Sequence, residues 1–594
     1  MSWSPSVSAD GRHVVFNSIA DDLVPFDHPD TWDIFVHDRD VDGNGVFDEP
    51  GRTRIVRIAP ATPYTGTPDI SSHAFISGNG RWVTFSATDP SLIVGDTNGV
   101  MDVLVHDRDA DGNGVFDEPG GTALVRVSVS STGAEANGDS GDYSRWISAD
   151  GRFVAFDSHA SNLVAGDTNG LPDLFVHDRD LDQDGIFDEP DAIATVRVSI
   201  SATGEQGNNG SGWDPSMSDD GRYVAFSSWA SNLLPNGQDS NGRIDLFVFD
   251  RDADRDRVFD EPDAINIVRV SVGSGGEQGN DSTDGGHMSA DGRFVAFWTR
   301  ATNFDPQGDV NGGAGDVFVH DRDFDGDGIY DEQSQPGGVR TVLVSKSTAG
   351  EQGNGDSADP KLSADARFVV FSSAASNLVG GDSEGFTDCF LHDRDVDQDG
   401  IYDEPDAVET VRVSTAVNGG GGNADSRHRT GISANGKHVV FDSYASDLVA
   451  ADDNGQMDVF LRAFGCASAS WSVYGAGWPG SLGIPDLAMS DPPVLCATPA
   501  MHIGNSRGNP VQAVLFLGFA SADLPTAWQG TLLVLPSITI PLGLPSNGVD
   551  LPVSIPCDEA LCGAAIYLQV LEHDLGASRG VAFTPGLVIV LGDG

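Results

Sequence analysis

The stretch SADGRFVAF, residues 148 to 156, is one of seven closely related copies in this chain of 594 residues. Each copy joins a tight turn to a run of apolar and aromatic residues that is typical of a strand. The turn position is occupied, at steps of 69, 71, 70, 71, 74 and 70 residues, by Gly11, Gly80, Gly151, Gly221, Gly292, Ala366 and Gly436. A unit of about 70 residues repeated seven times predicts a propeller or a solenoid.

The third unit shows how one repeat is built. After the turn come RFVAFDS (152–158), a polar loop, DLFVHD (173–178), an acidic stretch and TVRVSIS (195–201), and the segment before the turn supplies a further, innermost strand. The strands are apolar at consecutive positions, which indicates that both faces of the sheet are covered. Four-stranded blades stacked around an axis meet this condition, so we expect an all-β, seven-bladed propeller. A parallel β-helix is the alternative, but its coils are usually shorter.

The turn phrase resembles the WD-repeat-like motif of TolB-type propellers, in which such a turn joins the two inner strands of a blade. Residues 1 to about 464 carry this resemblance, which implies a propeller and says little about function. The seventh unit has GKHVVFDS and DVFLRAF but neither an acidic stretch nor a VRVS strand. Its outer strand therefore comes from ASWSVYG (469–475) or is absent, and an open blade would expose an edge.

The charge of the chain is strongly negative and unevenly placed. The formal net charge is −57, and residues 466–594 contribute only nine acidic and two basic residues to it. Such a surface repels phosphate backbones and anionic lipids, so nucleic-acid and membrane-surface roles are not expected. No apolar run of about 18 residues exists, so no membrane span is predicted either. An acidic surface of this kind attracts divalent cations.

The acidic stretch HDRDVDGNGVFDEP (37–50) has six copies, which begin at His37, His106, His177, Phe249, His320 and His392. Its D-x-[DN]-x-[DN]-G start is similar to EF-hand and thrombospondin-type-3 calcium loops, which implies calcium as the cofactor. The predicted metal ligands occupy loop positions 1, 3, 5, 9 and 10. They are Asp40, Asp42, Asn44, Asp48 and Glu49; Asp109, Asp111, Asn113, Asp117 and Glu118; Asp180, Asp182, Asp184, Asp188 and Glu189; Asp252, Asp254, Asp256, Asp260 and Glu261; Asp323, Asp325, Asp327, Asp331 and Glu332; Asp395, Asp397, Asp399, Asp403 and Glu404.

Three features of these loops weaken the calcium prediction or oppose it. No loop has the EF-hand glutamate at position 12, so the affinity is expected to be weak. The fourth loop has Arg257 in place of glycine and Arg255 nearby, so a guanidinium is an alternative occupant there. Acidic residues also decorate solvated hairpin tips without metal. We favour calcium because carboxylates at alternate positions repel one another unless a cation lies between them.

Two other repeated features have structural explanations. Phrases such as GDTNGVMD (95–102) are typical of Asx turns, although they lie near the acidic loops. The histidines at the strand ends recur in five copies, which favours a packing or ligand-supporting role over catalysis. They are His37, His106, His177, His320 and His392.

A catalytic site breaks a repeat, so catalytic residues are expected among the positions that are not repeated. The G-N-S-R-G match at Gly504 lacks the strand-to-helix context of a nucleophile elbow. The innermost strands diverge most, and because they border the channel of a propeller, a ligand face is a hypothesis there; drift of solvent-facing residues is the alternative. The diverging residues are His73, Tyr143, Arg145, Trp146, Trp213, Asp214, His287, Lys361, Arg427, His428 and Arg429.

The last 130 residues or so differ from the rest, with apolar strands separated by Pro and Gly, and they predict a β-sandwich. The strings YGAGWPGSLGIPDL (474–487) and AAIYLQVLEHDLGA (564–577) resemble an uncharacterised C-terminal domain of secreted planctomycetal proteins. Four cysteines (466, 496, 557 and 562) are in this part, with their pairing open, and Cys389 is expected to be a buried free thiol.

We therefore expect two domains, a propeller at residues 1–464 and a β-sandwich at 465–594. The function predicted from sequence is an exported, calcium-binding, non-catalytic binding or scaffold module for an unknown protein or polysaccharide ligand. Its location is extracellular, at the cell surface or periplasmic, although residues 1–5 do not resemble a signal peptide. The alternative is a hydrolase that acts on glycan or peptide at the mouth of the propeller channel.

Overall fold

The computed structural model describes residues 1–25, 32–58, 73–305, 308–383, 385–426, 429–450, 452–464, 469–494, 497–528, 530–556, 561 and 564–592. These residues form strands almost throughout, with a single-turn 3-10 helix at Pro235–Gly237. No helix in these ranges is long and apolar enough to cross a bilayer. Contacts divide the chain into two compact units, Met1–Ala463 and Phe464–Gly594.

The described residues of the first unit form seven antiparallel sheets in chain order. The first three sheets are β1 (Ser2–Val7), β2 (His13–Ser18), β3 (Asp33–Asp38) and β4 (Arg54–Arg57); β5 (Phe75–Ile76), β6 (Trp82–Ala87), β7 (Asp102–Asp107) and β8 (Ala123–Arg126); β9 (Ser140–Ile147), β10 (Phe153–Ser158), β11 (Asp173–Asp178) and β12 (Ala194–Arg197). The next two are β13 (Ser211–Met217), β14 (Tyr223–Ser228), β15 (Asp245–Asp250) and β16 (Asn266–Arg269); β17 (Thr283–Met288), β18 (Phe294–Thr299), β19 (Asp316–Asp321) and β20 (Arg340–Leu343). The last two are β21 (Ser357–Leu362), β22 (Phe368–Ser373), β23 (Asp388–Asp393) and β24 (Glu409–Arg412); β25 (Thr430–Ile432), β26 (His438–Ser443) and β27 (Asp458–Ala463).

Every sheet meanders in sequence order from the inner strand outward, and the core lies between neighbouring sheets. Ala155 and Val176 of the third sheet share a buried cluster with Val224 and Phe226 of the fourth. Both faces of the middle strands are thus covered, which is why their apolar residues are consecutive. The prediction of an all-β propeller is confirmed.

The seventh blade closes against the first without a shared strand. Val440 of β26 packs with Val14, Phe16 and Phe35 of the first blade. The Ala434 amide of the seventh turn donates to the Ala9 carbonyl of the first turn at 2.9 Å, as the Ala364 amide of the sixth turn does to the Ala434 carbonyl. The seventh sheet has three strands among the described residues. The segment ASWSVYG contributes β28 (Ser470–Tyr474) to the second unit and does not pair with the seventh sheet. Of the two predicted alternatives, the one without a fourth strand therefore applies to the described residues of this sheet.

Two salt bridges in each of the first six blades explain the HDRD motif. In the sixth blade, Arg367 of the turn forms a fork with Asp393 at 2.6–2.8 Å. The next residue, Arg394, is buried and forms a fork with Asp403 at 2.6–3.0 Å, while its Nη1 donates to the Ala366 carbonyl. This arginine latch ties the acidic loop to the turn of its own blade. Its members are the pairs Arg39–Asp48, Arg108–Asp117, Arg179–Asp188, Arg251–Asp260, Arg322–Asp331 and Arg394–Asp403.

The second unit packs two sheets over one core. The larger sheet has the order β28-β38-β36-β31-β34, with β37 on β36; a second sheet has the order β29-β30-β35, and β32 pairs with β33. Leu487 and Ile503 of the smaller sheet share a buried cluster with Leu515, Val570 and Leu587 of the larger one. The bounds are β29 (Leu487–Met489), β30 (Ala500–Ile503), β31 (Val511–Gly518), β32 (Ser521–Pro525), β33 (Thr531–Val534), β34 (Ile538–Leu544), β35 (Val549–Pro552), β36 (Ala565–Glu572), β37 (Ala582–Phe583) and β38 (Gly586–Val590).

Of the five cysteines, Cys389 lies in β23 and is buried as a free thiol. The other four, Cys466, Cys496, Cys557 and Cys562, lie outside the described residues.

Candidate functional site

The acidic loops bring three of their five predicted ligands together. In the third, fourth, fifth and sixth loops, one carboxylate oxygen from each aspartate at positions 1, 3 and 5 lies within 4.8 Å of the others. The first two loops have Asn44 and Asn113 at position 5. Such a focus of hard oxygens can bind a metal ion, because three carboxylates at this separation repel one another in its absence.

The other two predicted ligands have different neighbours. The position-9 aspartates, such as Asp48, belong to the arginine latch, so their charge is already compensated. The position-10 glutamates of the first two loops accept a hydrogen bond from the asparagine amide at position 5, as Glu49 does from Asn44 at 2.7 Å. At position 1, Asp40 accepts the amides of Asn44 and Gly45, which curls the loop around it.

The fourth loop keeps this geometry in spite of its arginines. Asp252, Asp254 and Asp256 form the same cluster as in the regular loops. Neither Arg255 nor Arg257 forms an ion pair with these three aspartates within the described part of the chain. The guanidinium of Arg255 instead donates to the Gly328 carbonyl of the next loop at 2.9 Å. In this structure, therefore, neither guanidinium takes the place of the ion.

The repeated histidines and the second acidic phrases have structural partners. His320 Nδ1 lies 2.9 Å from the Thr341 hydroxyl, which donates to the Val272 carbonyl of the preceding blade at 2.6 Å. Burial lowers the pKa of His320 to about 4, so this ring is neutral. In the phrase from Gly95, the Asn98 side chain accepts the Val100 amide, which is the geometry of an Asx turn.

The innermost strands bring non-repeated side chains together at the channel axis. We call mouth ring the seven residues four positions before the serine that opens each turn phrase. They are Ser4, His73, Ser144, Asp214, Gly285, Asp359 and Arg429. Three of them, Ser4, Asp214 and Asp359, have left-handed backbone with φ of 56°, 44° and 53°. Strained non-glycine residues of this kind cluster at functional sites.

Arg429 connects blades that are not neighbours. Its Nη1 lies 3.5 Å from Asp214 Oδ1 of the fourth blade, and its Nη2 lies 3.4 Å from His73 Nε2 of the second. Side chains of the second, fourth and seventh blades can meet only at the axis of the propeller. The Ser144 hydroxyl of the third blade adds a hydrogen bond to Asp214 at 3.3 Å. Four members of the mouth ring, His73, Ser144, Asp214 and Arg429, therefore form a connected polar network across the channel.

Arg145 supports the backbone of this network through hydrogen bonds. It is almost fully buried and donates from Nε to the His73 carbonyl at 2.9 Å and from Nη1 to Ser86 and to the Gly141 carbonyl. Burial lowers its pKa to about 10. Arg145 thereby fixes the backbone that presents His73 to Arg429.

Three carboxylates beside the mouth ring have raised pKa values. Burial, with the nearby charges of Asp214 and Asp359, raises the pKa of Asp284 to about 6. Burial also raises the pKa of Asp157 and of Asp442 to about 7, against the opposing effect of backbone amides that donate to them. Perturbed carboxylates gathered in a cleft are characteristic of catalytic sites.

A second layer lies deeper in the channel, two residues along each inner strand. A cavity of about 150 Å³ is bordered there by Phe75, Trp146, His287 and Lys361. The rings of Trp146 and His287, from the third and fifth blades, lie 5.1 Å apart. Burial lowers the pKa values of both His287 and Lys361.

Sequence reasoning identified much of this site and missed some of it. Tyr143, Arg145, Trp146, Trp213, Asp214, His287 and Lys361 lie on the inner strands as expected, and His73 and Arg429 lie just before the inner strands of their blades. Arg427 and His428 are outside the described residues. Asp284 and Asp359 were not singled out, nor were Asp157 and Asp442. Their signal was available, because each aspartate replaces a residue that is neutral in most other repeats.

Comparison with known proteins finds similarity of fold alone. No protein-family model and no curated protein matches the chain. A solved oligogalacturonate lyase in complex with manganese has a TM-score of 0.39 and 10% identity, with 78% of this chain and 90% of that chain covered. Acylaminoacyl peptidase from Pyrococcus horikoshii has a TM-score of 0.37 and 8% identity, with coverage of 86% and 58%. Prolyl oligopeptidase B from Galerina marginata has a TM-score of 0.38 and 10% identity, with coverage of 85% and 56%.

These findings correct one prediction. The solved structures named above are all enzymes, which is contrary to the prediction of a non-catalytic binding or scaffold module. At such identities no substrate and no catalytic residue is transferred from them to this chain. The chain spans just over half the length of the two peptidases. With no family match, the similarities to TolB-type propellers and to the planctomycetal C-terminal domain remain resemblances.

Proposed function

We propose that this chain is a hydrolase whose active site is the mouth ring, and that its substrate is a glycan. The observation that carries the proposal is the network in which Arg429, Asp214 and His73 meet across the channel. The outer parts of six blades are repeated almost without change, whereas the residues at the axis differ from blade to blade. Stability of the fold alone does not explain why different ionisable groups are concentrated there.

Two neighbouring aspartates have the environments that acid and base require. Asp284, with a pKa of about 6, holds a proton in slightly acidic solution and can donate it to a leaving oxygen. Asp214 lies 3.5 Å from the Arg429 guanidinium and accepts a hydrogen bond from the Ser144 hydroxyl at 3.3 Å. An ionised and a protonated carboxyl group in one site is the pairing that glycoside hydrolysis uses. In this assignment Asp284 is the acid and Asp214 the base or nucleophile.

The aromatic residues of the same region fit a sugar substrate. Tyr143 and Trp213 directly precede Ser144 and Asp214, and their rings lie 5.8 Å apart. Tyr143 is 43% exposed, so one ring surface is open to a ligand. Flat aromatic surfaces with a polar edge pack well against the C–H faces of sugar rings. A glycan is therefore favoured over a peptide as the substrate.

The test is a screen of polysaccharides and aryl glycosides for release of reducing ends. Asp284→Asn and Asp214→Asn should each lower kcat by at least about 100-fold, the scale of a lost general acid or base. Loss of Asp284 should also remove the alkaline limb of the pH profile. Asp219→Asn, on a turn in the channel wall of the fourth blade, is the matched control and should retain activity.

Two results would contradict the proposal. One is glycan turnover that survives both substitutions in a chain that still melts cooperatively. The other is turnover of peptides with no activity on any glycan, which would show that the substrate is a peptide and not a glycan.

We further propose that the acidic loops bind calcium and that the protein works outside the cytoplasm, where calcium is abundant. Each ion would offset the repulsion among the aspartates at positions 1, 3 and 5 and stiffen a blade, so metal binding would add to folding stability. Support comes from the oxygens within 4.8 Å in four loops. The latch aspartates are assigned to structure and not to the metal.

Metal analysis of the purified chain should find about one calcium ion per acidic loop. A chelator should lower the melting temperature, and added calcium should restore it. Asp182→Asn should remove one ion, whereas Asp150→Asn, at an exposed turn position where the second and seventh repeats have Asn79 and Asn435, should remove none. Purified protein with no calcium and no thermal response to chelator would refute this part.

A further inference from the structure

The fourth acidic loop departs from its five relatives at two positions where the backbone is left-handed. Arg255 has φ of 64° and Arg257 has φ of 73°. The residues that correspond to Arg257 in the other loops are all glycine, namely Gly45, Gly114, Gly185, Gly328 and Gly400. A side chain at such a φ is strained, whereas glycine is not. The fourth loop thus has an arginine at a position where the backbone conformation favours glycine.

Both arginines border a groove of about 740 Å³ between the third and fourth blades, which we call the arginine groove. Its charged lining consists of five arginines and four aspartates, a balance of +1. The corresponding groove between the fifth and sixth blades, of about 400 Å³, has three arginines and four aspartates, a balance of −1. The chain as a whole has a net charge of −57, so a groove whose lining has a net positive charge differs from the rest of the surface.

The guanidinium of Arg257 is not engaged in holding the fold. It makes no hydrogen bond or ion pair among the residues that the structure describes, although Asp254 and Asp256 are close in sequence. Arg152 and Arg222 of the groove use Nε and Nη2 for Asp178 and Asp250. Their Nη1 groups have no partner within the described ranges. Uncommitted guanidinium donors in one groove are suited to an anion with several oxygens.

We propose that the arginine groove binds an oxyanion, such as the sulfate, phosphate or carboxylate group of a ligand, with Arg257 as the principal contact. The strained backbone is retained because the guanidinium is needed there, as strain at functional sites generally is. The groove shares no lining residue with the mouth ring, so the proposal does not depend on the hydrolase assignment.

The test compares the full chain with Arg257→Gly, which restores the residue of the other five loops and is therefore expected to fold. Sodium sulfate, glucose 6-sulfate, glucose 6-phosphate and sodium acetate are titrated calorimetrically, with sodium chloride at matched ionic strength as the blank. The wild type should bind one or more of the oxyanions, and the arms separate sulfate, phosphate and carboxylate. Arg257→Gly should weaken binding by about tenfold or more, the scale of a lost charge-assisted hydrogen bond.

Thermal melting supplies the second readout. Without ligand, Arg257→Gly should melt at or slightly above the wild-type temperature, because strain is removed. Gln398→Gly is the matched control: Gln398 also has left-handed backbone, with φ of 59°, in the sixth loop, and its replacement should leave oxyanion binding unchanged. Equal binding by wild type and Arg257→Gly, or no binding by wild type, would overturn the proposal.

Discussion

The buried carboxyl group of Asp157 gives a quantitative prediction about stability and pH. Its side chain lies behind the mouth ring, with Oδ1 accepting the amides of Tyr143 and Ser144 and Oδ2 unpartnered in the described structure. Burial raises its pKa to about 7. Because the folded-state pKa exceeds the unfolded-state value, the neutral form favours folding. This stability is fully present below about pH 4 and is lost as the pH rises to about 7.

Asp157→Asn should remove that pH dependence. The asparagine carbonyl oxygen can accept the same two amides, and Asn17 occupies the corresponding position of the first blade, so the side chain is expected to fit. The shift of about three pKa units corresponds to at most about 4 kcal/mol, and we expect about 2 kcal/mol after relaxation. The variant should therefore be more stable than wild type at pH 8 and nearly equal at pH 4.

The measurement is the melting temperature of both proteins by calorimetry from pH 4 to pH 8.5. Asp442→Asn repeats the experiment in the seventh blade, where the pKa is also about 7. Asp150→Asn, an exposed turn residue, is the control and should show no trend. A difference between variant and wild type that is independent of pH, or that favours wild type at pH 8, would refute the reasoning.

Two further predictions concern the contacts that hold the blades. Asp403→Ala leaves the buried Arg394 unpaired and should destabilise the propeller by about 3–5 kcal/mol. Asp48→Ala should cost less, because the Asp48 side chain is 53% exposed and water can take its place beside Arg39; equal losses in urea unfolding would contradict this. Thr341→Val removes the bond to the Val272 carbonyl between blades and should cost about 1–2 kcal/mol in the same assay. An unchanged urea midpoint for this variant would show that the hydroxyl is dispensable.

The period of about 70 residues, the apolar runs and the turn phrases were sufficient to predict the all-β propeller and the strand order within a blade. These features are local or recur at fixed intervals, so a single chain reveals them. The purpose of the HDRD arginine was not accessible in the same way. Only the folded loop shows that Arg394 turns back to Asp403 and to the Ala366 carbonyl, which assigns the position-9 aspartates to a latch.

The candidate site illustrates the same limit. The sequence by itself determined that the inner strands diverge, and it identified His73, Asp214 and Arg429 as residues outside the repeat. Only the tertiary structure decided that these three meet, because they are separated by up to 356 residues along the chain and come from three blades. Closure of the ring converges the inner strands on one axis, and that convergence produces both the ion pair across the channel and the raised pKa of Asp284. The sequence specifies the identity and spacing of these residues, whereas the circular arrangement of the sheets brings them close together.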